Sequence, residues 1–114
     1  QVIVSYHNYE ETPSRKELDA IVDECFANGA TIAKIACQTN SPQDATRILS
    51  LLDTKLPVIA IGMGEQGRIT RLASLFLGSP FTYACLSQNT KTAPGQFDEQ
   101  HLRDLIQSIS EDSP

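Results

Sequence analysis

The sequence predicts an α/β protein made of four strand–helix units, which is the content of half of a (β/α)8 barrel. Short apolar runs typical of buried parallel strands alternate with segments whose apolar residues recur at helical spacing. Each unit takes roughly 25 to 30 residues, the length that a parallel crossover connection needs. A complete barrel needs about 250 residues, and the chain has 114. Four units also suit a small open parallel sheet with helices on both faces, so this second architecture stays open.

Each predicted element has its own signals in the sequence. The strands are the apolar runs at residues 2–6, 31–37, 56–61 and 81–86. The helices are the amphipathic segments at residues 14–28, 42–53, 68–77 and 99–109. Capping signals come from Thr12-Pro13 and Ser41-Pro42, and stop signals from Gly29 and Gly78. No linker interrupts the pattern, so we expect a single domain over residues 1–114.

Composition and charge exclude several classes of function. A net charge of −5 and a pI near 4.8 do not provide the basic face that nucleic-acid binding requires. No apolar run has the length of a membrane span. Cys25, Cys37 and Cys85 form an odd set without metal-ligand spacing. We therefore interpret them as reduced thiols, and we expect a cytoplasmic protein without a bound metal.

Lys34 has the strongest chemical signal in the chain. It stands in the middle of the otherwise apolar predicted strand at residues 31–37. Burial disfavours the charged form of a lysine, and a neutral amine can attack a carbonyl carbon to form a Schiff base. The structural alternative is a lysine at a sheet edge that extends its amine into water.

Several other residues are predicted at the carboxyl ends of the strands, where ligands bind in both architectures. His7 follows the first strand and suits proton transfer near neutral pH. Met63 lies in a glycine-rich turn after the third strand, and Arg71 in the next helix suits a carboxylate or a phosphate. Thr92 and Gln96 belong to a loop after the fourth strand that could close over a ligand. Each has an ordinary structural alternative, so the prediction of a site depends on their convergence at one rim.

Six stretches of the sequence, in order, resemble the type I 3-dehydroquinate dehydratase family. They are residues 4–9 (VSYHNY), 12–13 (TP), 32–36 (IAKIA), 63–72 (MGEQGRITRL), 78–83 (GSPFTY) and 93–96 (APGQ). The resemblance covers nearly the whole chain, but only strands five to eight of that family's (β/α)8 barrel. It therefore favours the half-barrel over the open sheet.

The resemblance implies a reaction and a role for each candidate residue. Lys34 would form a Schiff base with the ring ketone of 3-dehydroquinate. His7 would transfer protons during the loss of water that gives 3-dehydroshikimate, a step of the shikimate pathway of aromatic amino acid biosynthesis. No metal or organic cofactor would be needed. The residues that would bind the substrate are Arg71, Met63, Thr92 and Gln96, with Thr92 standing where the family usually has serine.

The resemblance also implies a partner. In the family, the first four strands supply an acidic partner for the histidine, and nothing in this chain replaces them. We expect an amino-terminal half-barrel or a second copy of the chain to cover the sheet edges and the apolar face that points into the barrel. Two other functions stay open: a non-catalytic half-barrel that binds a small carboxylate or a partner chain, and another Schiff-base lyase or aldolase.

Overall fold

A computed structural model describes residues 1–80 of the 114-residue chain. Three strands alternate with three helices in this part of the chain, in the order that the sequence predicts. The elements are β1 (Ile3–Asn8), α1 (Arg15–Ala27), β2 (Ile32–Gln38), α2 (Pro42–Ser50), β3 (Val58–Met63) and α3 (Arg68–Ala73). The predicted fourth strand and last helix lie outside the described residues. Of the helices described, none is long and apolar enough to cross a membrane.

The sheet topology agrees with a half-barrel. β2 lies between β1 and β3, and both pairings are parallel. Helices α1 and α2 pack together on one face of this sheet, which we call the outer face. Their shared core consists of Leu18, Val22, Cys25, Ile48, Leu51 and Leu52 against Ala33, Ile35, Cys37, Val58 and Ala60. A barrel keeps this sequential order and carries its helices on one face, and a doubly wound sheet does the same up to the point where its strand order reverses. The three described strands therefore fit the half-barrel prediction.

The opposite face, here called the inner face, carries the side chains that alternate with those of the outer face. Its members are Ile3, Ser5 and His7 from β1, Ile32, Lys34, Ala36 and Gln38 from β2, and Ile59, Ile61 and Met63 from β3. The strand register arranges them in rows that cross the sheet. The row nearest the amino ends is apolar, and polar side chains begin with the row of Lys34 and continue toward the carboxyl ends.

Two strand ends differ from the sequence prediction. β1 continues through His7 to Asn8, and β3 continues to Met63. His7 and Met63 therefore lie on the sheet itself, not in the turns that follow it. Because strands hold side chains on a defined face, both residues have a fixed relation to Lys34 that a turn would not have given them.

The predicted start of α1 and end of α3 are also wrong in detail. Ser14, not Thr12, caps α1, because the Ser14 hydroxyl accepts from the Glu17 backbone N–H while the Glu17 carboxylate accepts from the Ser14 backbone N–H. The helix predicted over residues 68–77 is α-helical only to Ala73. It ends in one 3-10 turn, Ser74–Phe76, so the α-helical part is only six residues long.

Four apolar residues of the inner face are more buried than the sequence predicts. Ile32, Ala36, Ile59 and Ile61 are each 1–5% exposed. These four side chains are therefore not open to water, and the partner expected on the inner face stays a prediction. Within residues 1–80, however, β1 pairs only with β2. The backbone hydrogen-bonding groups along the other edge of β1 would favour pairing with a further strand.

Candidate active site

Lys34 lies at the centre of the inner face. Ile32 and Ala36 flank it on β2, and it is paired with Ser5 of β1 and Ile59 of β3. Its side chain is half-buried. Because β2 has a strand on each side, the alternative of a lysine at a sheet edge is excluded. Its neighbours Ile32, Ala36 and Ile59 on the inner face are apolar and buried.

The environment of Lys34 favours its neutral form. Burial lowers the pKa of the Lys34 amine below its ordinary value of 10.5, and the positive charge of Arg71 lowers it further. Each effect acts against the ammonium ion, the first by removing water and the second by like-charge repulsion. A lysine nucleophile must lose its proton before it can attack a carbonyl carbon. The two causes therefore suit Lys34 for Schiff-base chemistry.

His7 lies on the inner face of the neighbouring strand. It is paired with Ala36, two residues beyond Lys34. Strand geometry separates the Cα atoms of two such diagonal positions by about 8 Å. At this separation both side chains can contact one small ligand. The imidazole is exposed, and the Tyr9 ring stacks on it with 5.8 Å between centroids and 7° between planes. One face of the imidazole is thus covered while the ring stays accessible.

The loop after His7 is fastened by side-chain hydrogen bonds. The Asn8 side-chain oxygen accepts from the backbone N–H groups of Glu10 and Glu11, at 3.0 Å each. The Thr12 hydroxyl donates to the backbone carbonyl of Gln38 at 2.8 Å. These bonds tie the end of β1 to the end of β2, at the rim where the polar side chains gather.

Arg71 is the arginine that the fold brings close to Lys34. It is 4% exposed, although arginine is seldom fully buried, and its charge acts on the Lys34 amine. The other arginine of the same helix, Arg68, is partly exposed and forms an ion pair with Glu65 at 3.8 Å. A guanidinium next to the amine offers planar, bidentate recognition of a carboxylate.

Met63 and Gln38 form the last row of the inner face. They are paired across β2 and β3, and Met63 also packs against the apolar cluster of this face, as expected of an apolar wall. Gln38 was not among the predicted site residues. Its amide lies over Gly64, where an added Cβ would be 2.5 Å from Gln38 Nε2. Counting alternate residues from Lys34 along β2 is the sequence signal that could have found it.

Two buried threonines near the site were also missed. Thr39 and Thr70 are 2% and 0% exposed. The Thr39 hydroxyl donates to the backbone carbonyl of Met63 at 2.6 Å. The Thr70 hydroxyl, in the first turn of α3, forms hydrogen bonds with the backbone of Gly62 and of Gly67. A threonine near a helix start reads as an ordinary surface residue in a sequence, so only the fold reveals that these hydroxyls point inward.

The remaining predicted site residues, Thr92 and Gln96, lie outside the described residues, and their part in the site stays a prediction. Within residues 1–80 no group of three or more histidine, cysteine, aspartate or glutamate side chains could hold a metal ion. Cys25 and Cys37 are buried free thiols. Burial raises the pKa of Cys37 to about 11, so this residue is a protonated core thiol at neutral pH and not a nucleophile.

The parallel strands in sequential order, with helices on one face and polar side chains on the other, define half of a (β/α)8-barrel protein. The sequence model of the family described as type I 3-dehydroquinase matches residues 1–113. The chain belongs to this family.

Similar proteins support that assignment. The chain is 39% identical over 107 residues to a 3-dehydroquinate dehydratase of Methanocaldococcus jannaschii. The aligned region covers 92% of this chain and 47% of the relative. It is 40% identical over 110 residues to one of Methanococcus maripaludis, covering 96% and 50%. The chain thus spans about half the length of the curated relatives it matches.

Solved structures agree with the fold. The crystal structure of 3-dehydroquinate dehydratase from Geobacillus kaustophilus superposes with a TM-score of 0.85 at 32% identity, over 98% of this chain and 45% of that one. The enzyme from Aquifex aeolicus gives a TM-score of 0.80 at 34% identity, over 96% and 48%. In each case the chain corresponds to somewhat less than half of a barrel enzyme, and this correspondence confirms the half-barrel prediction over the open sheet.

Proposed function

We propose that this chain is the carboxyl-terminal half of a 3-dehydroquinate dehydratase and supplies the Schiff-base lysine of that reaction. The observation that carries the proposal is the lowered pKa of Lys34, caused by burial and by Arg71. A module that only binds a carboxylate gains from a fully charged lysine, because loss of the proton weakens its attraction for an anion. A nucleophilic amine gains from the reverse, so the environment of Lys34 favours an enzyme over the binding module.

The proposed reaction uses Lys34 and His7 in sequence. The Lys34 Nζ attacks the ring ketone of 3-dehydroquinate, and water leaves as the imine forms. The protonated imine withdraws electrons from the neighbouring C–H bond, so His7 can remove that proton. His7 then gives the proton to the departing hydroxyl group, which leaves as water. Hydrolysis of the imine releases 3-dehydroshikimate and restores the amine.

Overall the proposed reaction removes one water molecule and changes no oxidation state. No redox cofactor enters this balance, and the imine supplies the electron sink for which a metal or an organic cofactor would otherwise serve. We therefore assign the chemistry to side chains of the protein alone. The same imine chemistry serves other lyases and aldolases, and membership of the 3-dehydroquinase family favours the dehydratase among them.

Substrate recognition is proposed to depend on the residues around Lys34. Arg71 binds the carboxylate of 3-dehydroquinate, and Met63 forms an apolar wall beside the ring. Thr92 and Gln96 are proposed to bind ring hydroxyl groups from the loop that follows the fourth predicted strand. The negative charge of the bound carboxylate would offset the repulsion between Arg71 and the protonated imine. The substrate would thereby stabilise the positive charge that forms during the reaction.

We further propose that the working enzyme contains a second half-barrel, with the amino-terminal half preferred over a second copy of this chain. The relatives are about twice as long as the chain, and β1 has no strand on its other side within residues 1–80. A self-dimer would satisfy that edge but would duplicate the same half, including its histidine without an acidic partner. We expect the assembled enzyme in the cytoplasm, consistent with the two buried free thiols.

Complementation tests this proposed function. The chain is assayed for 3-dehydroshikimate formation alone and after mixing with the amino-terminal half of the Methanocaldococcus jannaschii relative, while sedimentation equilibrium reports the assembly. We expect weak or no turnover from the chain alone and from its self-dimer, and turnover from the mixed complex. A stable mixed complex that forms no covalent adduct with 3-dehydroquinate would contradict the proposal.

Replacing Arg71 by lysine should mainly raise KM. The ammonium ion keeps the positive charge but loses the two parallel hydrogen bonds to the carboxylate, which are worth about 1.5–3 kcal/mol, or roughly 10- to 100-fold in KM. Steady-state kinetics of Arg71→Lys measure the change, and Arg68→Lys, which alters the partly exposed arginine of the same helix, is the matched control. An unchanged KM in Arg71→Lys together with a raised one in Arg68→Lys would move the anion site to Arg68.

A further inference from the structure

We propose that Thr70 is a positioning residue: its hydroxyl joins the end of β3 to the start of α3 and thereby holds Arg71 beside Lys34. This inference rests on the proposed function, because it assigns to Arg71 the task of binding the substrate carboxylate. It adds a residue that touches neither the substrate nor the Schiff base, and that acts only through the placement of Arg71.

The Thr70 hydroxyl makes two hydrogen bonds with opposite sense. It accepts from the backbone N–H of Gly62 at 2.8 Å and donates to the backbone carbonyl of Gly67 at 2.6 Å. The side chain is fully buried. A hydroxyl is the smallest side-chain group that can both accept and donate, so it can join an N–H on the strand to a carbonyl in the turn through a single oxygen atom.

The backbone around this hydroxyl is packed too closely to move independently of it. A Cβ added to Gly67 would lie 2.4 Å from the backbone carbonyl atoms of Gly62 and 2.5 Å from the hydroxyl oxygen of Thr39. A Cβ added to Gly62 would meet Thr39 Cγ2 at 2.8 Å and Thr70 Cγ2 at 3.3 Å. The strand end and the turn therefore touch backbone to backbone, and Thr70 lies at their junction.

Arg71 depends on this junction because its helix cannot fix its own position. α3 has only six residues, and so short a helix has little stability apart from its tertiary contacts. Arg71 follows Thr70 directly, is itself buried, and acts on Lys34 through its charge. Loss of the Thr70 hydroxyl leaves the Gly62 N–H and the Gly67 carbonyl to find other partners, and any shift of the turn is passed to the next residue.

Three threonine variants test the inference. Thr70→Val replaces the hydroxyl by a methyl group of similar size, and Thr70→Ser keeps the hydroxyl and removes the methyl. Thr46→Val is the matched control, since it removes a hydroxyl that also donates to a backbone carbonyl, that of Pro42 in α2. If Thr70→Val does not fold, Thr70→Ala takes its place in the comparison with Thr70→Ser.

The first measurement is borohydride trapping over a range of 3-dehydroquinate concentrations, in the preparation that the complementation assay finds competent. We expect Thr70→Val to raise the half-saturating concentration by about 10- to 100-fold, the usual cost of a displacement near 1 Å in a binding group, with a smaller change in the maximal trapping rate. Thr70→Ser should return it to near the native value, and Thr46→Val should leave it there.

The second measurement needs no turnover. Competitive labelling of lysines with a trace of acetic anhydride over a pH series reports the pKa of Lys34 from its reactivity. Displacing the Arg71 charge removes one of the two causes that lower this pKa, so Thr70→Val should raise it, whereas Thr70→Ser and Thr46→Val should not. A role in general stability alone would not shift the titration of one lysine in a folded protein.

The outcomes separate the two proposals. Native half-saturation and a native Lys34 pKa in a folded Thr70→Val variant would overturn the positioning role, as would equal effects from Thr46→Val or failure of Thr70→Ser to restore the native values. If no preparation of the native protein forms an adduct, the proposed function fails. The labelling comparison then decides by itself whether Thr70 holds Arg71 beside Lys34.

Discussion

Lys34→Ala should abolish the covalent adduct between the protein and 3-dehydroquinate. Without the amine no imine can form, and removal of a nucleophile typically lowers turnover on the order of 10⁴- to 10⁶-fold. Intact mass spectrometry after borohydride treatment should show one adduct on the native protein, and peptide mapping should locate it at Lys34. Lys34→Arg should fail as well, because a guanidinium keeps its proton and cannot act as the amine nucleophile.

Two controls show that these losses are chemical. Lys55→Ala removes an exposed lysine in the loop before β3 and should leave the adduct unchanged. Lys34→Met keeps an unbranched side chain of similar length but carries no charge. It should increase the free energy of unfolding at pH 7, because a half-buried ammonium is disfavoured in the folded state.

The pH dependence of that gain follows from the direction of the pKa shift. The pKa of Lys34 is lower in the folded protein than 10.5, its ordinary value, so the unfolded chain binds more protons between the two values. The native protein therefore gains stability as the pH rises through this window, and the advantage of Lys34→Met disappears above it. Denaturant titrations at several pH values measure the difference.

An adduct that forms equally on Lys34→Ala would remove Lys34 from the mechanism.

His7→Ala should separate imine formation from dehydration. The imine depends on Lys34, so borohydride trapping should continue. Removal of the proton and protonation of the leaving hydroxyl depend on His7, so 3-dehydroshikimate formation should fall by about 10²- to 10⁴-fold, the usual contribution of acid–base catalysis. Trapping and turnover are measured on the same preparation, which makes the native-like trapping an internal test of folding.

The other histidine of the chain supplies the matched control for His7. His101 is predicted on the polar side of the last helix, outside the described residues, and His101→Ala should leave the rate of dehydration unchanged. A rate for His7→Ala equal to the native one would show that another group transfers the protons. Tyr9, which stacks on the imidazole, would then be understood as a partner of a structural histidine.

The site was predictable where a residue differs sharply from its sequence neighbours. Lys34 is conspicuous because it interrupts an apolar run. Arg71 is conspicuous because it follows a glycine-rich segment, within the stretch at residues 63–72 that resembles the family. Gln38, Thr39 and Thr70 gave no such signal. Their positions near the candidate site depend on which way their side chains point and on backbone atoms distant in the sequence, and neither is encoded in a local pattern.

Local patterns therefore determined the order of the strands and helices and the presence of a lysine in a strand, because periodicity, capping and composition act within a few residues. The tertiary structure decided everything that depends on pairing. The register set His7 diagonal to Lys34, the strand order placed Lys34 in the middle strand of the described sheet, and the burial of Arg71 brought a charge close enough to lower the pKa of the amine. These properties arise from contacts between residues far apart in the chain, whose geometry is fixed only when the sheet and its helices pack together.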